Sequence, residues 1–323
     1  MKKNELQDVV RVLKDNNSFL IAGHVSPDGD SLGSMCALAL GLESIGKTCV
    51  MVAPDGVPET YRFLPGSQRI VRESQPNQPF DVGIIVDCEG LDRIGSAADA
   101  MSACKSIVEI DHHPGGERNS HAQVIDSSAA SCGEIVLEVL TEAGIAISPE
   151  IAECLLTAII TDTGSFRFSS VKPSTLRAAA ELVEAGGSVS KIAHSIYEMR
   201  SFSAVKLLGV ALSTIQTAKN GRIAYASITK QQMAEAQAVD AEAEGIVNYV
   251  RSVKGAQVGL LFRENGEGGT KVSLRSKDGY DISQVAGMFG GGGHRAAAGC
   301  TINRPLSEAI DLVVEATAKW MGS

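Results

Sequence analysis

The stretch Phe19-Leu-Ile-Ala-Gly-His-Val-Ser-Pro-Asp-Gly-Asp-Ser-Leu-Gly-Ser34 decides how this chain folds. Its apolar run, Phe19 to Ala22, reads as a buried strand bounded by Gly23. The run delivers His24, Asp28 and Asp30 within seven residues, with Pro27 and Gly29 shaping the loop. Ser31 takes the expected N-cap position ahead of an apolar helical segment, Met35–Ile45. One imidazole and two carboxylates at the carboxyl end of a strand stand where an α/β sheet binds its ligand. Turn-forming Asp and Gly residues produce the same pattern without any ligand, so the other segments have to decide.

A chain of 323 residues suggests two ordinary domains or one large one. With 44% hydrophobic and 21% charged residues it has the composition of a soluble globular protein. Aromatics at 4% and a net charge of −9 argue against a surface that grips long duplex nucleic acid or stacks long single strands. A small anionic substrate stays compatible, because clustered Arg, His and metal reverse the field inside a cleft. The seven cysteines, at 36, 49, 88, 104, 132, 154 and 300, form no CxxC pair and no zinc spacing. They read as reduced thiols of a cytoplasmic protein. Met1-Lys-Lys-Asn-Glu-Leu-Gln-Asp has no signal-peptide core, and no run nears the roughly 20 apolar residues of a membrane span.

Leu6, Val9, Val10 and Leu13 mark an amphipathic first helix. Strands are expected at Phe19–Ala22, Thr48–Val52, Val82–Val86 and Ile107–Ile110, separated by the helix near 31–45 and by an irregular connection, Gly56–Phe80. Strands apolar on both faces and alternating with helices indicate a mostly parallel covered sheet. Helices follow at 131–143, 149–160, 173–184, 188–198 and 203–213, with Pro at or near N1 of two of them. A second domain has strands at 223–228, 258–262 and 271–274 in a half-solvated sheet, and a closing helix at 306–320. The expected fold class is α/β: a mostly parallel N-terminal domain, 1–187, a helical connector, 188–219, and a smaller mixed α/β domain, 220–323. The apolar face of the connector reads as an interdomain hinge, with a homodimer surface as the alternative.

Three further apolar elements end in polar ligands. Val82-Gly-Ile-Ile-Val-Asp87 ends in a carboxylate, Ile107-Val-Glu-Ile-Asp111-His112-His113-Pro114 in an acid and two imidazoles, and the helix Ile151–Ile160 in Thr161-Asp162. Each alone has a bland reading as a turn or a cap. Together, His24, Asp28, Asp30, Asp87, His112 and Asp162 hold too many ligands for one tetrahedral zinc. They suit two close octahedral cations, Mn²⁺ first and Mg²⁺ or Co²⁺ as alternatives, bridged by one carboxylate.

The order His-x-x-x-Asp-x-Asp-Ser, strand-terminal Asp, Asp-His-His and later Asp-Thr-Gly resembles the DHH phosphoesterase family across most of residues 19–168. The resemblance implies that His24, Asp28 and Asp87 hold one metal and Asp30, Asp87, His112 and Asp162 the other, with Asp87 as the bridge. It places His113 beside the leaving group and Asp111 behind the ligands, so that His113, Asp87 and Asp111 are the expected catalytic residues. The implied reaction is phosphoester hydrolysis by a hydroxide generated between the two cations.

Phe289-Gly-Gly-Gly-Gly-His-Arg-Ala-Ala-Ala-Gly299 is similar to the DHH-associated C-terminal domain, whose glycine-rich segment binds phosphate or sugar. Gly291, Gly292, Gly293, His294, Arg295 and Arg275 are therefore the expected substrate-binding residues. The compact form with Thr163-Gly-Ser-Phe-Arg-Phe168 most resembles the nanoRNase/pAp phosphatases. That resemblance implies short RNA oligonucleotides and 3′-phosphoadenosine 5′-phosphate (pAp) as substrates, and no membrane partner. A stand-alone cyclic-dinucleotide or pApA phosphodiesterase is the alternative. A catalytically silent nucleotide sensor, which would lack a ligand, is the reading from a different class.

Overall fold

The computed structural model describes residues 3–73, 80–115, 120–266, 268–277 and 279–322. The chain divides into two units, Met1–Met199 and Arg200–Ser323.

The first unit runs α1 (Lys3–Asp15), β1 (Ser18–Ala22), α2 (Gly29–Ser44), β2 (Thr48–Val52), β3 (Val82–Val86), α3 (Ala98–Ser102), β4 (Ser106–Asp111), β5 (Ala122–Ile125), α4 (Cys132–Glu142), α5 (Pro149–Asp162), α6 (Pro173–Glu184) and α7 (Val189–Ala193). Its five strands pair only in parallel, in the order β2-β1-β3-β4-β5. Phe19 and Ile21 face the core shared with α1, α2, α4 and α5, while Leu20 and Ala22 face a second core with Ile94, Ala97 and Met101. Burial on both faces is why these strands are uninterrupted apolar runs. Each fully buried side chain of this kind contributes roughly 1.5–3 kcal/mol.

The second unit runs α8 (Phe202–Ser213), β6 (Gln216–Ala218), β7 (Ile223–Ile228), α9 (Lys230–Ala236), α10 (Ile246–Arg251), β8 (Val258–Glu264), β9 (Thr270–Ser276), α11 (Ser283–Gly287), β10 (Gly292–His294), β11 (Ala297–Ile302) and α12 (Leu306–Trp320). Its sheet has the order β10-β11-β9-β8-β7-β6, antiparallel except for β7 against β8. No helix among the described residues is long and apolar enough to cross a membrane.

Several local expectations are corrected. Ser31 is not the N-cap of α2: Asp28 is, accepting from the Asp30 and Ser31 amides. A carboxylate competes well with a hydroxyl for this position, because it meets the positive end of the helix. The expected helix 188–198 is α7 followed by a π turn, His194–Glu198. The glycine-rich segment, to which the sequence assigns no element, forms a hairpin: Gly292–His294 pairs with Ala297–Gly299, and its composition hides this because glycine is a poor strand former. Two short strands, β5 and β6, have no clear signal in sequence; β6 lies within the segment read as a helical connector. Of the irregular connection Gly56–Phe80, residues 74–79 lie outside the described residues; the rest carries 3-10 turns at Glu59–Tyr61 and Ser67–Arg69. The second sheet is covered on both faces at β7 and β8 rather than half-solvated throughout, with Val258 and Leu260 in one core and Ala224, Ala226 and Leu261 in another.

Candidate metal centre

The chain leaves β1 toward β2 on one side, and β3 leads to β4 on the other, so strand order reverses between β1 and β3. The crevice at such a reversal is where open parallel sheets bind ligands. His24 follows β1 and Asp87 follows β3. Asp111 ends β4, with His112 and His113 directly after it. Asp28 and Asp30 come from the start of α2, and Asp162 ends α5.

All six expected ligands are brought together. His24, Asp28 and Asp87 offer ligand atoms within 4.8 Å of one another, and so do Asp30, His112 and Asp162. Asp87 stands between the two groups: its Oδ2 is 3.5 Å from His24 Nε2, and its Oδ1 is 3.4 Å from His112 Nε2. His112 Nε2 also lies 3.7 Å from Asp30 Oδ2 and 3.6 Å from Asp162 Oδ2.

Each ligand is aimed by its backbone surroundings. His24 Nδ1 donates to the Val25 carbonyl at 2.8 Å, which leaves Nε2 for the cluster. Asp30 is fully buried and accepts from the Cys132 amide at 2.7 Å and the Gly133 amide at 2.9 Å, the free donors at the start of α4. Asp87 adopts φ 53°, a left-handed conformation that Asp tolerates better than most residues, and its N–H donates to Ile110 O at 3.0 Å. Ser165 and Phe166, just after Asp162, are also left-handed. Asp111 Oδ1 accepts from the His112 amide at 2.7 Å and from His113 Nδ1 at 2.8 Å.

Two observations test whether cations fit. Asp87 is 3% exposed, yet its Oδ1 is buried and accepts no hydrogen bond among the described residues. A bare carboxylate oxygen in that position is costly unless a cation meets it. The donors, carboxylate oxygens and imidazole nitrogens without thiolate, are common ligands of divalent cations. The residues fit divalent cations.

Crowding of acids and imidazoles shifts how these groups titrate. Burial opposes a charge on His24, but hydrogen bonds to Asp28 and Asp87 outweigh it and raise its pKa to about 11. Burial likewise opposes a charge on His112, and the Asp87, Asp30 and Asp162 carboxylates carry it to about 10. Burial, then repulsion from Asp87 and Asp162, pushes Asp30 well above the carboxylate range. The carboxylates thus favour protonated imidazoles, so a cation bound here would compete with protons. Mn²⁺ binding at neutral pH is expected to release protons and to tighten as pH rises, because raising pH removes the competitor. Calorimetry in two buffers of different ionisation enthalpy checks this; equal observed enthalpies would contradict it.

Sequence reasoning missed the amides of Cys132 and Gly133 that hold Asp30. Their signal was the capping pattern Ser131-x-x-Glu134, whose Ser131 Oγ accepts from the Glu134 amide at 3.3 Å. Arg167 donates from Nε to the Gly164 carbonyl at 2.5 Å. In the second unit, Arg275 lies on β9 opposite Ala297, and Gly292 lies opposite Gly299. Arg295 is exposed in the turn between β10 and β11, Gly291 precedes that hairpin and Gly293 is within it. The side chain of His294 lies outside the described residues.

Residues 18–159 match the DHH family, N-terminal domain, and residues 220–323 match the DHHA1 domain. The chain is 33% identical to the bifunctional oligoribonuclease and PAP phosphatase NrnA of Thermus thermophilus, covering 95% of this chain and 92% of that protein. It is 26% identical to the protein of the same name from Bacillus subtilis, covering 91% and 92%. Among solved structures, an exopolyphosphatase-related protein from Bacteroides fragilis matches with a TM-score of 0.93 at 28% identity, covering 99% of this chain and 97% of that one. The exonuclease RecJ of Thermus thermophilus shares the fold, with a TM-score of 0.57 at 13% identity over 99% of this chain and 55% of that one. With its ligand order, its parallel sheet and a second domain of the DHHA1 type, the chain belongs to the DHH family.

Proposed function

We propose that this protein is a metal-dependent phosphoesterase that hydrolyses short RNA oligonucleotides and pAp. The observation that carries the reading is the convergence of two ligand groups on one buried carboxylate, Asp87, at the sheet's switch point. Two divalent cations of the Mn²⁺ type, when bound there, would acidify the attacking water and neutralise charge that develops on the phosphoryl oxygens.

In this proposal His24, Asp28 and Asp87 would hold one cation and Asp30, Asp87, His112 and Asp162 the other, with Asp87 common to both. Asp111 accepts from His113 Nδ1, which fixes the ring and leaves its Nε2 to exchange a proton with the leaving oxygen. The glycine strand and Arg275 supply donors for the substrate's phosphate or sugar. This assignment is supported by the strand register, which joins both to β11. The substrate class is supported by the names of the Thermus thermophilus and Bacillus subtilis relatives, which align with both domains. We place the protein in the cytoplasm, where its seven free thiols would stay reduced.

Hydrolysis of a substrate panel under Mn²⁺ tests the reading: pAp, a 5′-phosphorylated RNA dinucleotide, a long RNA, cyclic di-AMP and pyrophosphate. Turnover of pAp and the dinucleotide with the long RNA spared is expected. Preference for cyclic di-AMP would move the protein to signalling with the same residues, and no turnover would remove the enzymatic reading.

A further inference from the structure

Among the described residues of the first unit, the non-glycine residues with positive φ are Ser26 at 55°, Asp87 at 53°, Ser165 at 61° and Phe166 at 62°. Ser26 lies between His24 and Asp28, Asp87 is itself an expected ligand, and Ser165 and Phe166 follow Asp162. With Gly164 at 56°, the last two make three successive left-handed residues. L-residues enter this region singly and at a cost, so such a run persists only where its surroundings hold it. Asp87 is held from within the sheet, by its bond to Ile110 O. Ser26 and Ser165 are held from outside the ligand cluster.

Asp55 holds Ser26. Strands β1 and β2 run in parallel with Ala22 beside Val52, so the turns that follow them are neighbours. The turn after β2 is closed by the Gly56 amide, which donates to the Ala53 carbonyl at 2.8 Å, with Pro54 second and Asp55 third. Asp55 Oδ2 accepts from the Ser26 amide at 2.6 Å, a charge-assisted bond to the left-handed residue itself. Tyr197 holds Ser165: their hydroxyl oxygens lie 2.8 Å apart, and Tyr197 stands in the π turn after α7. Turns of that kind are rare and concentrate at functional sites. The Ser165 amide donates to Ile160 O at 2.7 Å, and the Phe166 amide to Thr163 Oγ1 at 3.0 Å. The left-handed run is therefore tied to the end of α5, which carries Asp162.

We propose that Asp55 and Tyr197 are positioning residues that clamp the two ligand-bearing turns in left-handed form, Asp55 for His24 and Asp28 and Tyr197 for Asp162, so that the ligands are aimed before a cation arrives. The inference rests on the two-cation reading and adds two residues that are not ligands. Each clamp serves one of the two ligand groups. A turn released from its clamp would relax toward ordinary backbone angles and carry its ligand out of register with the rest.

The test is the Mn²⁺ affinity of the full chain, read by titration calorimetry on cation-free protein, with its cation-free Tm alongside. Asp55→Ala and Tyr197→Phe are each expected to raise the Kd for Mn²⁺ roughly tenfold, as loss of a partner that orients a ligand does. Asp55→Asn keeps an oxygen that accepts from the Ser26 amide but not the charge, and should stay within about threefold of wild type. Ser165→Ala should match Tyr197→Phe, and the two together should cost no more than either alone, because both remove one bond. An unchanged Kd in Asp55→Ala or Tyr197→Phe would overturn the clamp that it removes, and a fall in cation-free Tm alone would mark a merely structural contact. Asp55→Asn as weak as Asp55→Ala would also overturn it, since a charge acting at a distance would then explain the loss. Should Asp55→Ala fail to fold, Tyr197→Phe, at a residue 43% exposed, and Asp55→Asn still decide the matter. A wild-type protein that takes up no Mn²⁺ would instead remove the two-cation reading, and the clamps with it.

Discussion

Asp87→Asn is expected to lower turnover of pAp and RNA dinucleotide by at least about 10³-fold, roughly 4 kcal/mol of transition-state stabilisation. The size follows from its position: its two oxygens face His24 and His112 separately, so one substitution weakens both ligand groups. The fold should survive. Asn keeps the shape and tolerates the left-handed φ of 53°, and the backbone bond to Ile110 is untouched. Burial, more than repulsion, raises Asp30 and Asp162; removing this charge relieves the repulsive part and costs His24 and His112 an attractive partner. The cation-free variant should still unfold cooperatively, since the strand that leads to residue 87 stays buried on both faces. Wild type in Mn²⁺ at a hundred times its Kd gains about 2.7 kcal/mol, and the variant should lose most of that. Melting with and without Mn²⁺, alongside turnover, separates a lost metal centre from a lost fold. Near-normal activity would remove Asp87 from the centre.

The second large effect is on stability. Gly33→Val should destabilise the first unit by about 3 kcal/mol or more. A Cβ at Gly33 would lie 2.5 Å from the Cys154 carbonyl oxygen and 3.2 Å from the Ala158 Cβ, where α2 crosses α5. Helix propensity favours replacing glycine by up to about 1 kcal/mol. The clash wins because the atom met is backbone, which moves only if the helix moves. For a unit of this size each kcal/mol shifts Tm by about 2–4 °C, so a fall of roughly 6–12 °C is expected. Gly29 lies at the same crossing, where its Cβ would meet Thr161 at 2.5 Å, and Gly133 brings α4 onto α5, where its Cβ would meet Ala158 at 2.6 Å. Since Asp28 and Asp30 start α2 and Asp162 ends α5, loosening this contact should also weaken Mn²⁺ affinity. Calorimetric melting reads the first effect directly; a variant within a degree or two of wild type would mean the helices separate easily.

The residues of the centre were legible because they sit at the ends of apolar runs. Phe19–Ala22 and Val82–Val86 are buried on both faces, so their hydrophobicity is continuous and their ends are sharp. The polar residue that follows each end, His24 or Asp87, is then conspicuous. Less legible were features whose signal is weak in a short window. Strand β5 is four residues long and β10 three, two of them glycine, too little for periodicity to register. Ser31 looked like a cap because caps are read from residue type, whereas Asp28 has both the place and the charge.

Sequence alone determined which chemical groups are available and on which elements they lie: two imidazoles and four carboxylates at strand and helix ends, and a glycine-rich segment with arginines in the second domain. These are local properties, set by side-chain type and by the period of the backbone. Tertiary structure decided how the groups are used. Asp30 is held by amides 102 and 103 residues away, Asp87 divides its oxygens between two imidazoles, and Arg263 stands opposite Lys271 in the register of two strands. Such pairings depend on which distant elements pack together, and chain-entropy costs of closing long loops are met only by the whole buried core.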